Sequence, residues 1–426
     1  MKRLKQFIRG FVAATLLMGS AAHADMTIEV VGVGSQQYPI AILPFQNETT
    51  QSQPVTPVVN TDLSNSGLFK TIPVTGDLSL MAYHPSEINY PALQAKGAQT
   101  ALIGQMTAEG GQVVVRFWLI DLATKQELIA FEKRGNPAHA RRIAHQIADM
   151  IYAKLTGKSG VFASRIAYVL KAAGRFQLQV ADADGYGAQT VLASRQPIMS
   201  PKWSPDGGKL AYVSFEKEKP IVYVHELATG KRWQAANFKG SNSAPAWSPD
   251  GKQLAVVLSK DLGSQIYIVN VDGSNPRRVT TTGEINTEPS FTADGRNLIF
   301  TSDRGGSPQI YRISVNGGDA VRLTNSGSYN ASGKISPDGR SMTYITRTSG
   351  YRVAIMDLAT RQSMTLTDTN MDDSPSFAPN SQMILYETDV GRRGTLAVVS
   401  ADGRVKQRLK AQGGEVRQPA WGPMLR

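Results

Sequence analysis

Short apolar runs recur along the last two thirds of the chain at a near-constant interval. They read IAYV at 166–169, LAYV at 210–213, LAVV at 254–257, LIFT at 298–301, MTYI at 342–345 and ILYE at 384–387. Ahead of all but the first stands one motif: PKWSPDG at 201–207, PAWSPDG at 245–251, PSFTADG at 289–295, GKISPDG at 333–339 and PSFAPNS at 375–381. PAWGP at 419–423 ends the series. The bulky position falls at 203, 247, 291, 335, 377 and 421, so the steps are 44, 44, 44, 42 and 44 residues. Asp-Gly between apolar runs predicts a tight hairpin, because glycine takes positive φ without steric cost. A second apolar strand follows, as in QIYIV at 265–269 and QIYRI at 309–313. A further turn (Asp272-Gly273, Asn316-Gly317, Asp402-Gly403) then leads to a short polar strand such as 277–280. Four antiparallel strands in about 44 residues is the pattern of one β-propeller blade.

The ends set the blade count. The run at 166–169 has no Pro-x-aromatic strand before it, and the strand around Trp421 has none after it. The two halves complete one blade if the C-terminal strand pairs with the start of the propeller. The 265 residues from 162 to 426 then hold six blades. Closure of this kind leaves no open sheet edge, whereas a linear solenoid would leave both half-blades incomplete.

Ahead of the repeats the pattern changes. Residues 38–45 and 112–121 predict strands, the latter with Val113, Val115, Phe117 and Leu119 on one face, and 127–133 predicts a returning partner. Asn136-Pro137 reads as a helix start, Ile143, Ile147, Ile151 and Leu155 form its apolar face, and Gly157 marks its end. The expectation is a smaller α/β domain over residues 25–158, followed by an all-β six-bladed propeller over 159–426. Within 25–31, apolar Met26, Ile28 and Val30 alternate with polar Thr27 and Glu29, and Gly32 and Gly34 follow. That predicts a mobile N-terminal strand on a glycine hinge, able to pair with an edge of its own domain or of another protein.

Residues 1–24 carry Lys2, Arg3, Lys5 and Arg9, then an uncharged apolar stretch from 11 to 22, then Ala22-His23-Ala24 before Asp25. This is the outline of a cleaved secretory signal peptide. The apolar stretch falls short of the ~20 residues that span a bilayer. Export lowers the formal charge from +12 to about +8, and the bases are spread along the chain, so a nucleic-acid partner is not expected. The absence of cysteine excludes disulfides, thiolate metal sites, a cysteine nucleophile and a lipidated N-terminal cysteine.

Catalytic motifs do not emerge. The five histidines lack zinc spacing, Gly32-Val33-Gly34 lacks the third glycine of a dinucleotide loop, and no G-x-S-x-G elbow occurs. Asp182-Ala183-Asp184-Gly185 faintly resembles a calcium loop but occupies a hairpin position, and reads as a turn. No cofactor is expected, calcium in the propeller channel being the alternative.

A binding face follows from topology. The Asp-Gly hairpins lie on one face of the disc, so the connections entering each inner strand lie on the other, around the channel mouth. Those entries are Ile198-Met199, Asn242-Ser243, Thr287-Glu288, Asn330-Ala331, Asp372-Asp373 and Arg417-Gln418, varied in chemistry on a constant frame.

The run GVFASRIAYV at 160–169, MSPKWSPDGGKLAYVSF at 199–215, NTEP at 286–289, the closing PAW at 419–421 and NSGLF at 65–69 together resemble the TolB family of the Tol-Pal system. The likeness covers essentially the whole mature chain. It implies a non-enzymatic periplasmic scaffold that supports outer-membrane integrity and constriction during cell division. It also implies that the lipoprotein Pal binds over the propeller mouth and that the C-terminal domain of TolA engages the segment Asp25, Met26, Thr27, Ile28, Glu29 and Val30. Thr287 and Glu288 match the family's Pal-contacting loop, and Asn242 the loop of the preceding blade. Met199, Ser243, Asn330, Asp372, Asp373 and Arg417 join them by topology. The resemblance also allows colicins as partners that exploit the same mouth. The rival reading is a periplasmic propeller enzyme or lectin acting on sugars or peptides. Its channel acids would be Glu288, Asp372, Asp373 and Glu415, which are scattered around the ring. A propeller scaffold of the β-barrel-assembly type is disfavoured by the separate α/β domain.

Overall fold

In the computed structural model, residues 26–32, 37–50, 53–74, 76–261, 263–411 and 413–424 are described. The expected signal peptide, Asp25 and Gly34 lie outside them. Six antiparallel sheets stand around a central channel. The second strand of each blade, such as Lys209–Ser214, Gln253–Leu258 or Asn297–Ser302, is buried at nearly every residue because neighbouring blades cover both its faces. This is why these strands read as continuous apolar runs instead of alternating. The outermost strands see solvent and shrink to pairs such as Arg277–Arg278 and Val321–Arg322.

The ring closes as expected. Glu415–Trp421 is the inner strand of the first blade and pairs antiparallel with Arg165–Ala172, Trp421 opposite Ile166 and Arg417 opposite Val169. The repeated aromatics lie between blades. The Trp203 indole donates to the Ala420 carbonyl at 3.1 Å, the Trp247 indole to the Lys202 carbonyl at 3.0 Å, and the Trp421 indole to the Ser164 hydroxyl at 2.8 Å. Each indole thus ties its blade to chain outside its own sheet while its ring fills the gap.

The N-terminal region carries β1 (Met26–Gly32), β2 (Tyr38–Ile42), α1 (Val55–Asn65), β3 (Phe69–Ile72), α2 (Tyr90–Ala95), β4 (Thr100–Glu109), β5 (Gln112–Asp121), β6 (Glu127–Gly135) and α3 (Ala140–Thr156). Its sheet runs β3-β2-β4-β5-β6, parallel across β3-β2-β4 and antiparallel thereafter. The face of this sheet bearing Val113, Val115, Phe117 and Leu119 packs on α1 and α3, while Leu93 of α2 lies against Leu43, Ile103 and Ile120 on the other. Asn136 accepts from the Ala138 N–H at 2.9 Å and opens a 3-10 turn that runs into α3, which ends at Gly157 with φ 71°. Among the described residues, no helix is long and apolar enough to cross a membrane.

β1 is not part of that sheet. It pairs antiparallel with Lys406–Ala411, Met26 opposite Ala411 and Ile28 opposite Leu409, and makes the sixth blade five-stranded. Ile28 packs on the cluster formed by Tyr168, Leu396 and Leu409, while Glu29 is exposed.

Charged groups join α1 and α3 to the propeller. Arg141 pairs with Asp184 and lies 3.4 Å from Asp182, and its guanidinium stacks 3.9 Å from the centroid of the Tyr186 ring. Asp149 accepts from the Phe162 N–H at 2.7 Å and the Ala163 N–H at 3.2 Å. Buried His145 holds Asp62 at 2.6 Å through Nδ1 and has Asp182 3.7 Å from Nε2. Burial opposes a charge on His145, but the Asp62, Asp182 and Asp184 carboxylates outweigh it and push its pKa up to about 10. Burial also raises Asp62, yet His145 keeps the proton because several carboxylates surround it.

Two outcomes are expected. Trp421→Ala should cost about 3 kcal/mol, since the ring is partly buried, and should lower the melting temperature of the propeller as one unit. A mutant that melts with the parent would remove closure from the stability of the ring. For His145, a folded pKa above the unfolded value of ~6.5 means stability present in full below that pH and lost as pH rises through about 10. The stability gap between the parent and His145→Gln should therefore narrow with rising pH in thermal melts; a constant gap would refute a protonated His145.

Candidate functional site at the propeller mouth

Each inner strand enters at the mouth, runs along the channel and ends in its hairpin turn on the far face. In all six, its pairing with the second strand slips at one place, for example between Thr287 and Ser290. The residue at the slip is left-handed without being glycine: Ser200, Ala244, Glu288, Ser332, Ser374 and Gln418 have φ between 46° and 56°. Such a conformation costs ~1–3 kcal/mol and persists only where the surroundings over-determine it. Bonds between blades hold part of this ring. Glu288 accepts from the Ser332 N–H at 2.8 Å, the Ser332 hydroxyl at 2.6 Å and the Thr301 hydroxyl at 2.7 Å. Gln418 accepts from the Ser200 N–H at 2.5 Å, and its own N–H donates to Glu387 at 2.7 Å.

The structure sorts the sequence-derived mouth residues into three groups. Asn242, Asn330 and Asp372 are buried at 0%, 1% and 2% exposure. Asn242 donates to the carbonyls of Pro220, Phe238 and Gly240; Asn330 donates to Gln309 and Ser326; Asp372 accepts from Val353 N–H and Thr367. Their side chains are turned inward and fasten the entry loops, where the sequence reading expected them to stand at a contact surface. Glu288 and Arg417 are semi-structural: Glu288 braces the channel as above, and Arg417 reaches Glu387 at 2.6 Å, Asp389 at 2.9 Å and Glu415 at 3.4 Å. At the rim, Met199 and Asp373 are exposed, and Ser243 and Thr287 are half-buried. The outer edge of Asp373 meets solvent, but desolvation by the channel walls, with Glu288 and Glu387 nearby, pushes its carboxyl up to about 6.

The four acids of the enzyme reading are each engaged locally: Glu288 with Ser332, Asp372 with Thr367, Asp373 with the Ser374 N–H and Glu415 with Arg417. The turn at Asp182-Ala183-Asp184-Gly185 is a hairpin, with the Gly185 N–H on the Asp182 carbonyl at 2.8 Å. Asp62, His145 and Asp184 bring ligand-type atoms within 4.8 Å of one another, but Arg141 and protonated His145 already neutralise those acids. Of the N-terminal segment, Ile28 and Val30 are half-buried on the sixth blade.

The sequence reading missed the channel wall beneath the rim. Lys202 and Lys334 stand there, and burial between the blades lowers both, Lys202 to about 7. The signal was present in the repeat itself, since the residue before the bulky position is lysine only in these two of the six units.

Residues 26–128 match the TolB amino-terminal domain and residues 152–425 the TolB beta propeller domain. The Tol-Pal system protein TolB of Methylobacillus flagellatus is 62% identical over 436 aligned positions that span 100% of both chains. That of an Azoarcus species is 64% identical over 397, covering 93% of this chain and 92% of its own. The crystal structure of TolB from Acinetobacter baumannii superposes with a TM-score of 0.86 at 39% identity, covering 93% of this chain and all of that one. The chain belongs to the TolB family, the non-enzymatic periplasmic β-propeller scaffolds of the Tol-Pal system.

Proposed function

We propose that this scaffold binds Pal at the propeller mouth and TolA through its N-terminal segment, and so supports outer-membrane integrity and constriction during division. The observation that carries the reading is the rim itself. Met199, Ser243, Thr287 and Asp373 project varied chemistry from loops that Asn242, Asn330 and Asp372 pin from below. A rigid frame with a variable rim is the arrangement that recognition of a folded partner needs. The same rim is the surface that colicins would share.

The TolA reading rests on β1. A strand hydrogen-bonded along a blade edge, with Gly32 and Gly34 following it in the sequence, is suited to strand exchange with a second protein. Its bonds to Lys406–Ala411 compete with any partner that takes the same strand, so TolA affinity depends on how readily β1 leaves the sixth blade.

Met199→Ala combined with Thr287→Ala should weaken Pal binding at least about tenfold, or ~1.4 kcal/mol, with an unchanged melting temperature. Calorimetry with purified Pal checks this, and equal affinity would move the Pal site elsewhere. Glu288→Lys should in addition lower stability, because it removes the acceptor of the Ser332 N–H. Deleting residues 25–35 from the mature protein should abolish TolA binding, leave Pal binding measurable and lower the melting temperature modestly. Full TolA affinity in the truncated protein would refute the assignment of the strand.

A further inference from the structure

Two positive charges sit in the channel that neither the mouth nor the fold explains. Counting around the ring, the position before the bulky residue is Lys202, Ala246, Ser290, Lys334, Ser376 and Ala420. Lys202 and Lys334 are three blades apart in a ring of six, so they face each other across the axis. Both line the small cavity under the mouth, and both also line the wider funnel that opens on the hairpin face. They therefore stand at the waist between the two.

Neither ammonium, among the described residues, has an ion-pair or hydrogen-bond partner. Glu288 shares their cavity, but its two carboxylate oxygens are held by the Ser332 N–H, the Ser332 hydroxyl and the Thr301 hydroxyl. Glu288 and then Asp373 favour charge on both lysines through their fields, without a direct contact to either ammonium. Two like charges are thus held where blade walls strip much of their water, and desolvation first, then each other's field, disfavours charge on Lys202. The intervening ring positions are small, Ala246, Ser290, Ser376 and Ala420, which leaves the space between the lysines open. The cavity on the mouth side measures about 60 Å³, and one water needs roughly 10–15 Å³. An ion of a few heavy atoms fits there with its own water. A lysine offers three donors and no acceptor, so two opposed lysines call for a group with several acceptor oxygens.

We propose that the waist of the channel is a binding site for a small oxyanion of the phosphate, sulfate or carboxylate type, seated between Lys202 and Lys334. The ion bridges opposite sides of the ring, and the Ser290 hydroxyl at the same level is available as a further donor. Entry is from the funnel on the hairpin face, so occupancy does not require the mouth to be free. A bound dianion cancels both charges under the rim and changes the field that a partner meets at Asp373 and Glu288. The site is independent of the Pal reading, because it is defined by residues below the rim.

The test uses the full mature chain and inorganic phosphate as probe, by calorimetry in slightly acidic buffer at constant ionic strength. One saturable site is expected. Lys202→Gln and Lys334→Gln should each weaken it at least about tenfold, and the double variant should bind none measurably. Glu288→Gln should bind phosphate as well as the parent or better, since it removes a negative charge from the cavity. In thermal melts, phosphate should raise the melting temperature of the parent above that in chloride at equal ionic strength, and this rise should vanish in the lysine variants. Sulfate and citrate in place of phosphate separate a tetrahedral anion from a carboxylate as the preferred class. Identical melts in phosphate and chloride with no heat of binding would overturn the proposal, as would single variants that bind like the parent. If the double variant does not fold, the two single variants decide.

Discussion

The pairing of the last strand with the first one of the propeller is the constraint on which the rest depends. Trp421 lies opposite Ile166, so the ring cannot close until nearly the whole chain is present. Such a contact carries a large loop-closure cost and predicts slow folding for the propeller relative to its hairpins, which are local. Once made, it leaves every inner strand with neighbours on both sides. The channel, the rim and the facing of opposite blades all follow from that closure, because a ring with one blade missing or open has no axis to face across.

Closure also explains why strain is tolerated along the inner strands. A left-handed residue at the same place in six blades is costly in isolation, yet each is fixed by the ladder on one side, and several by a side chain of an adjacent blade on the other. The bulges turn backbone and side chains into the channel without breaking the blades. Glu288 illustrates the double use of one residue: its position near the rim suits recognition, while its hydrogen bonds brace the fifth blade against the fourth.

Much of this was legible in the chain. The 44-residue step, the Asp-Gly turns and the two half-blades led to the closed six-bladed ring, because those signals are local and repeated. The helix with Ile143, Ile147 and Ile151 was legible for the same reason, having the Asn136-capped turn that leads into it, a clean period and a glycine stop. α1 was not, since VTPVVNTDLSN is rich in β-branched and cap-type residues and its N-cap, Pro54, makes no side-chain bond. Its helical state is set by packing on α3 and the sheet. β1 carried a strand period, but periodicity does not say which edge a strand joins. At the site, position in the repeat located the loops and not the direction of their side chains. Asn242, Asn286 and Asn330 recur at steps of 44 and prove to be loop clamps. Regular recurrence of a polar residue marks framework here, whereas the two lysines break the pattern of their position in the repeat.

The fifth strand of the sixth blade has a consequence for solubility. When β1 is in place, the outer edge of Lys406–Ala411 is covered. Without β1 that edge would be unpaired, and unpaired edges recruit unintended partners. The strand left behind reads KQRLKA, with Lys406, Arg408 and Lys410 spaced at every second residue. A second copy of the same edge would meet it with like charge against like charge, so self-pairing is resisted. The charge pattern of that edge works against self-pairing whenever β1 does not cover it.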